Sequence, residues 1–295
     1  MTSQVTVKYR LFFGTVMAAI FTAIVVLDAW LDGSITISEA DDRTVQATIL
    51  SLLLVALLIA GQRELARLGA ARNLKFFSPL TEVASVLFAT GWYWQQLVRI
   101  SPCLSICLLS AFTLLALLVY QYVRYGTSAV MANCGANYFS VVYVGLLSAF
   151  VLGIRIDFGA WRLLMFILAV KSADIGAYAG GTLLGRHKFS PRISPGKTWE
   201  GMAAAVVTSV AVSVAFAATC DIMAPYLAGI FGFTFAIVGQ FGDLAESMIK
   251  RDAEQKDSAH KVPGFGGVLD IIDSPLVAAP FGYLFFELTA GISAS

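Results

Sequence analysis

The sequence predicts an all-α protein that crosses a membrane about nine times and buries a polar site in its C-terminal half. Three observations carry that prediction. Of 295 residues, 58% are hydrophobic and only 13% are charged, against about 25% charged in ordinary soluble domains. The mean hydropathy is +0.78, and apolar runs long enough to span a bilayer recur along the whole chain. The charges that remain are segregated, with Lys and Arg gathered in alternate connecting segments. A net charge of +1 argues against a basic face for nucleic acid, so no nucleic-acid partner is expected.

A transmembrane helix needs about 20 apolar residues, because each adds about 1.5 Å across about 30 Å of hydrocarbon. The first such run is 9–30. Lys8 and Arg10 precede it, and no small-residue cleavage site follows. It therefore reads as a span and not as a removable signal. Runs at 44–62, 79–98, 101–122, 138–154, 161–184, 199–219, 223–249 and 268–291 bring the number to nine. The third and fourth are divided only by Arg99, Ile100, Ser101 and Pro102.

With the N-terminus in the cytoplasm, fifteen of the twenty Lys and Arg fall in cytoplasmic segments. Arg43, Arg99, Arg155 and Arg162 fall opposite, and Lys171 lies inside a span. That bias predicts an N-in, C-out topology. The acidic stretch from Asp28 to Asp42 then lies outside. Cys103, Cys107, Cys134 and Cys220 form neither a disulfide framework nor a zinc pattern.

The two halves differ in kind. Residues 1–160 carry few ionisable groups within their spans and read as a scaffold or a homodimer contact. Residues 161–295 place Lys171, Asp174, Asp243, Glu246, Asp270, Asp273 and Glu287 in or at the ends of spans. A charge at a helix centre costs about 2.5–3.5 kcal/mol on insertion scales, so such residues face a polar cavity and mark a site. A transporter would also bury charge, but it would show repeats with charge in both halves.

Asp243 and Glu246 are three apart on one helix and share a face. Asp270 and Asp273 repeat that spacing at the start of the next. Four carboxylates without His or Cys suit a hard cation such as Mg²⁺, which completes its shell with water and phosphate. The competing reading is structural ion pairing with Lys250, Arg251 and Lys256. Between the pairs, Gly264, Gly266 and Gly267 expose backbone N–H groups just before a helix start, an arrangement that binds anions.

Upstream, Gly176, Gly180 and Gly181 have the spacing of a close helix contact. Asp174 is not explained by packing. The connection after it, with Arg186, Lys188, Arg192, Ser194, Lys197 and Thr198, is a basic turn rich in hydroxyls and suited to a polyphosphate. Gly196, Lys197 and Thr198 do not make a P-loop, because Pro191 stands where the first glycine is required and no strand precedes it. His187 and His260 read as solvated. Trp92, Tyr93 and Trp94 read as packing or interface anchors.

These blocks resemble the phosphatidate cytidylyltransferases (CDP-diglyceride synthases). The signature appears as Ser247, Lys250 and Arg251, then Lys256 and Asp257, then Pro263 through Asp273. Asp174, Ala177, Tyr178, Gly181 and Gly185 match upstream, as do Ser194, Pro195, Lys197, Thr198, Glu200 and Gly201. The match is strong over about 170–280 and only topological before that.

The resemblance implies transfer of CMP from CTP to phosphatidate, giving CDP-diacylglycerol and pyrophosphate. It implies an integral protein of the bacterial inner membrane whose site faces the cytoplasm. Asp243, Asp270 and Asp273, with Glu246, would hold Mg²⁺, and Asp174 would hold a second cation or the nucleotide. Lys250 and Arg251 join Asp243, Asp270 and Asp273 as catalytic candidates. Tyr178, Ser194, Lys197, Thr198, Glu200, Lys256, Gly266 and Gly267 are the substrate-binding candidates, with Asp174. Two positions depart from the pattern: Phe265 replaces the usual His, and Ile271 the usual Arg. They leave open a non-catalytic relative, or a sister CTP-dependent enzyme acting on another lipid.

Overall fold

The structure, a computed structural model, describes residues 2–35, 44–98, 100–254 and 267–290. The side chains of residues 2–13 and of Pro102 fall outside that description. The described residues are almost entirely helical. In chain order the helices are α1 (Thr2–Leu31), α2 (Thr48–Ala71), α3 (Ser78–Ala89), α4 (Gly91–Gln95), α5 (Pro102–Tyr125) and α6 (Val130–Ser140). A π turn (Val141–Leu146) continues α6 into α7 (Leu147–Phe158), followed by α8 (Ala160–Leu184), α9 (Trp199–Cys220), α10 (Pro225–Asp252) and α11 (Leu269–Ala290). No strand forms among the described residues; Lys188 and Thr198 make an isolated bridge.

Among the described residues, eight helices are long and apolar enough to cross a membrane, with α6, the π turn and α7 counted as one rod over Val130–Phe158. The run expected to span 79–98 is instead broken into α3 and α4 at Thr90. The Thr90 hydroxyl donates back to the Val86 carbonyl at 2.6 Å and accepts from the Trp94 indole at 3.0 Å. Gly91 follows, and a back-bonded Thr beside a Gly weakens a helix. Twelve residues of α3 reach about 18 Å, short of the hydrocarbon thickness.

Local rules explain the other ends. Pro102 and Pro225 start α5 and α10, where their missing N–H has no cost. Thr198 caps α9 by accepting the Gly201 N–H at 3.1 Å. Gly159, at φ 89°, turns the chain between α7 and α8.

The largest hydrophobic core runs from Val25 on α1 to Phe286 on α11, so both halves of the chain share it. Its aromatic centre is Phe231, Phe235 and Phe286, with ring centroids 4.3 Å apart for Phe231 and Phe235. Helices α8 and α9 pack at the glycines singled out in the sequence. A Cβ at Gly180 would lie 2.3 Å from the Ala204 Cβ. In contrast, α5 has only 11% of its apolar window buried, and Leu104, Leu108, Phe112 and Val119 are exposed.

One end of the bundle holds a buried charge cluster. Arg155 is 0% exposed; its Nη2 donates to Asp32 Oδ2 at 2.7 Å and to the Ser34 hydroxyl at 2.9 Å. Asp28 lies 3.5 Å from Arg155 Nε. The same two aspartates take the backbone N–H groups at the start of α2: Ala47 on Asp32 at 3.0 Å and Ile49 on Asp28 at 2.8 Å. Carboxylates at a helix N-terminus meet both its free donors and its positive dipole end.

Candidate active site

The other end of the bundle is polar for a different reason. Helices α10 and α11 approach so closely at Gly242 that a Cβ there would lie 2.8 Å from Ser274 Cα. The glycine thus brings the acidic turn of α10 against the acidic turn of α11. Carboxylate oxygens of Asp243, Glu246 and Asp273 all lie within 4.8 Å of one another. Glu246 and Asp273 are buried, and Asp273 accepts the Ser274 N–H at 2.6 Å. Glu246 Oε1 is buried and receives no hydrogen bond.

Three lysines, from α8, α10 and the connection before α9, close around these acids. Lys197, just before α9, reaches Asp243 at 2.7 Å and donates to the Gln240 carbonyl at 2.9 Å. Lys250 reaches Glu246 at 2.8 Å and also pairs with Asp270. Lys171 pairs with Asp174 at 3.1 Å on α8. Asp174 in turn receives long contacts from Gln240 Nε2 and the Ser274 hydroxyl, each at 3.4 Å.

Not every candidate joins the centre in the same way. Asp270 is not one of the three converging carboxylates but adjoins Glu246, with which it shares Lys250, and it accepts the Gly267 N–H at 2.6 Å. It thereby closes the first turn of α11. Arg251 is exposed, and its Nε donates to the Ile193 carbonyl at 3.2 Å, tying α10 to the connection between α8 and α9. Thr198 serves as the α9 cap. Glu200 accepts the backbone N–H groups of Arg186 and His187 and meets the exposed His187 ring at 2.6 Å. Ser194 sits in a tight turn, its N–H donating to Ser190 and its carbonyl accepting from Lys197. Tyr178 lies half-buried on α8. Lys256, His260, Phe265 and Gly266 lie outside the described residues. Ile271 is half-buried on the first turn of α11.

The connection from 185 to 198 folds back on itself. Trp199 N–H donates to the His187 carbonyl at 2.9 Å, and Phe189 N–H to Lys197 at 3.3 Å. This hairpin presents Lys197 to α10, so the basic connection and the acidic pair of α10 form one site.

A family model described as the cytidylyltransferase family matches residues 8–289. The chain belongs to the cytidylyltransferase family. It is 32% identical over 159 residues to a phosphatidate cytidylyltransferase of Mycobacterium leprae, covering 54% of this chain and 51% of that one. It is 33% identical over 183 residues to the Bacillus subtilis phosphatidate cytidylyltransferase, covering 61% and 68%. Against the Haemophilus influenzae phosphatidate cytidylyltransferase it is 39% identical over 134 residues, 43% and 46% of the two chains. The chain thus spans about half the length of the relatives from Mycobacterium leprae and Haemophilus influenzae.

Sequence reasoning missed two residues that the fold brings to the site. Glu64, fully buried on α2, accepts the Leu269 N–H at 2.9 Å and so holds the first turn of α11. It stands at the end of an apolar run beside Arg63 and Arg67, where a lone acid reads as surface. Tyr143, on the π turn, lies within electrostatic reach of Asp273, Glu246 and Asp243. Only an irregular turn brings it there, and no local pattern signals one.

Proposed function

We propose that this chain transfers the CMP of CTP to phosphatidate, releasing pyrophosphate and forming CDP-diacylglycerol. The observation that carries the reading is the convergence of Asp243, Glu246 and Asp273 within 4.8 Å, beside Lys197 and Lys250, in a bundle of membrane-length helices. The names of its relatives, each a phosphatidate cytidylyltransferase, support it.

The donor set fits a hard divalent cation such as Mg²⁺: it is all carboxylate oxygen, and one of those oxygens is buried without a donor. Asp243, Glu246 and Asp273 would hold the ion, which when bound lowers the repulsion between two phosphates and polarises the phosphorus under attack. Asp174, held by Lys171, is placed for the nucleotide or a second cation.

The chain's own residues do the rest. Lys197 and Lys250 exchange their carboxylate partners for phosphate oxygens and hold the triphosphate in line. The ionised phosphate of phosphatidate attacks the α-phosphorus of CTP. The bond to the β-phosphate breaks and its electrons leave with pyrophosphate, so no proton needs to be removed from the nucleophile.

The bias of Lys and Arg supports a site that faces the cytoplasm, where CTP is available, and the bacterial relatives support an inner-membrane location. If α3 and α4 cross together, the N-in, C-out topology of nine crossings follows. In this reading the N-terminal helices, with the exposed face of α5, are scaffold or dimer contact, and residues 161–295 carry most of the chemistry.

The test is direct. The purified full chain is given labelled CTP, phosphatidate and Mg²⁺, and labelled CDP-diacylglycerol is measured beside an Asp273→Asn variant. The reading expects product from the native chain and a loss of at least about a hundredfold in the variant. A native chain without lipid product, or a variant with full activity, overturns it.

A further inference from the structure

The π turn joining α6 to α7 is six residues long. Such turns are uncommon and recur at functional sites. Tyr143 is the aromatic residue it carries into the bundle. Its side chain is 6% exposed, and its hydroxyl is buried without a hydrogen-bond partner. Buried hydroxyls are almost always paired, since an unmet donor keeps its full desolvation cost.

The turn that bears it packs on α11, and the hydroxyl lies within electrostatic reach of Asp273, Glu246 and Asp243. One of those acids has the complementary deficit: Glu246 Oε1 is buried and has no donor. A buried donor and a buried acceptor thus lie within electrostatic reach of each other, and neither has a partner. A phosphate with its counter-cation satisfies both, because its oxygens accept from a phenol and its cation meets a carboxylate.

The position of the ring decides between the two phosphates of the proposed reaction. Tyr143 stacks on Phe139 with centroids 5.6 Å apart and planes 12° apart. Phe139 lines a cavity of about 310 Å³ whose wall includes Leu65, Leu68, Met248 and Ile249. Arg72 stands at that cavity, paired with Asp252 and Glu254 at 3.2 Å each. The basic connection that bears Lys197 leads into α9, whereas the π turn packs against α2, α3 and α11. Tyr143 therefore links the turn that packs on α11 to Phe139 and the apolar cavity, away from the connection that bears Lys197.

We propose that Tyr143 binds the lipid substrate: its hydroxyl donates to the lipid's phosphate, and the cavity beyond Phe139 takes the start of an acyl chain. This rests on the reading of the site as one for a lipid phosphate.

The experiment uses the full chain in lipid nanodiscs and compares it with Tyr143→Phe. The expected result is a KM for phosphatidate raised about tenfold or more, with the KM for CTP unchanged. Equilibrium binding of phosphatidate without CTP should weaken by the same factor, while binding of diacylglycerol, which lacks the phosphate, stays the same. The thermal midpoint should hold or rise, because no bond within the protein is lost. Unchanged phosphatidate binding, or a lowered midpoint with unchanged lipid KM, overturns the proposal. Ala136→Phe, which narrows the same cavity, should raise the KM of long-chain phosphatidate more than that of a short-chain one; equal effects overturn the acyl-chain part. If the native chain makes product and Tyr143→Phe matches it, this inference fails and the reaction stands. If phosphatidate binds through Tyr143 but no CDP-diacylglycerol forms, the reaction fails and the lipid site stands.

Discussion

The bundle buries charge at both ends, and the two clusters are built on opposite plans. Helix α2 touches both, with Ile49 at one and Glu64 at the other, about 22 Å apart along the axis. At the first, Asp28 and Asp32 meet Arg155 and the N–H groups of Ala47, Ile49 and Leu50. Each aspartate is held by a cation and by a helix start. At the second, five carboxylates (Asp174, Asp243, Glu246, Asp270 and Asp273) share three lysines (Lys171, Lys197 and Lys250) among the described residues. Three of those acids are crowded together. Carboxylates outnumber cations at both; the first pair is tied into the fold by the N–H groups that start α2, whereas the second crowds three acids together, an arrangement suited to a cation.

Four substitutions probe this contrast, from the largest expected effect down. Arg155→Met should destabilise the fold by about 3–5 kcal/mol, because it leaves two buried aspartates without their cation. Thermal unfolding in detergent reads this as a large fall in midpoint; an unchanged midpoint would erase the distinction between the clusters.

Asp273→Asn should do the reverse. It removes one of three crowded carboxylates, so the midpoint should hold or rise while CTP-dependent product formation falls at least about a hundredfold. A variant as unstable as Arg155→Met would make the acidic centre a structural cluster too.

Glu64→Ala should fall between them. It strands the Leu269 N–H, at a cost of about 1–3 kcal/mol. It also loosens the turn that carries Asp270 and Asp273, lowering activity about tenfold or more. A stability loss with unaltered activity would confine Glu64 to the fold. Thr198→Ala removes the cap of α9 and should cost about 1 kcal/mol. The KM for CTP should rise modestly as Lys197 loses its fixed neighbour; steady-state kinetics over a range of CTP concentration measure this.

Much of the architecture is legible in the sequence because the bilayer simplifies the problem. A span needs a long apolar run, and such runs place the long helices to within several residues. The exception is instructive: 79–98 reads as one run, though Glu82, Gln95 and Gln96 make it less apolar than its neighbours, and Thr90 and Gly91 break it. Hydropathy registers solvent preference, whereas the break arises from a side chain bonding its own backbone. Spacing likewise put Asp243 with Glu246 and Asp270 with Asp273, since i and i+3 share a helix face. It could not say which members of the two pairs would meet. Gly242 sets the contact between α10 and α11, and that contact brings Asp273 to the α10 pair while Asp270 turns to Lys250 and Gly267.

Other residues were legible only as members of the wrong group. Arg155 reads as a residue at the outer boundary, yet it is the fully buried partner of acids more than a hundred positions away. Glu64 and Tyr143 lie in the half that reads as scaffold, but α2 and the π turn carry them to the C-terminal acids.

The sequence by itself determined that the chain is a helical membrane protein, that its costly charges are concentrated in α8, α10 and α11, and which acids share a face within one helix. These follow from transfer free energy and from helical period, both local properties of the chain. Only the tertiary structure decided which acids converge, which lysines balance them, and that a tyrosine from the N-terminal half reaches the same centre. Those outcomes depend on how closely helices approach and where one of them departs from regular winding, and these are set by packing between segments far apart in the chain.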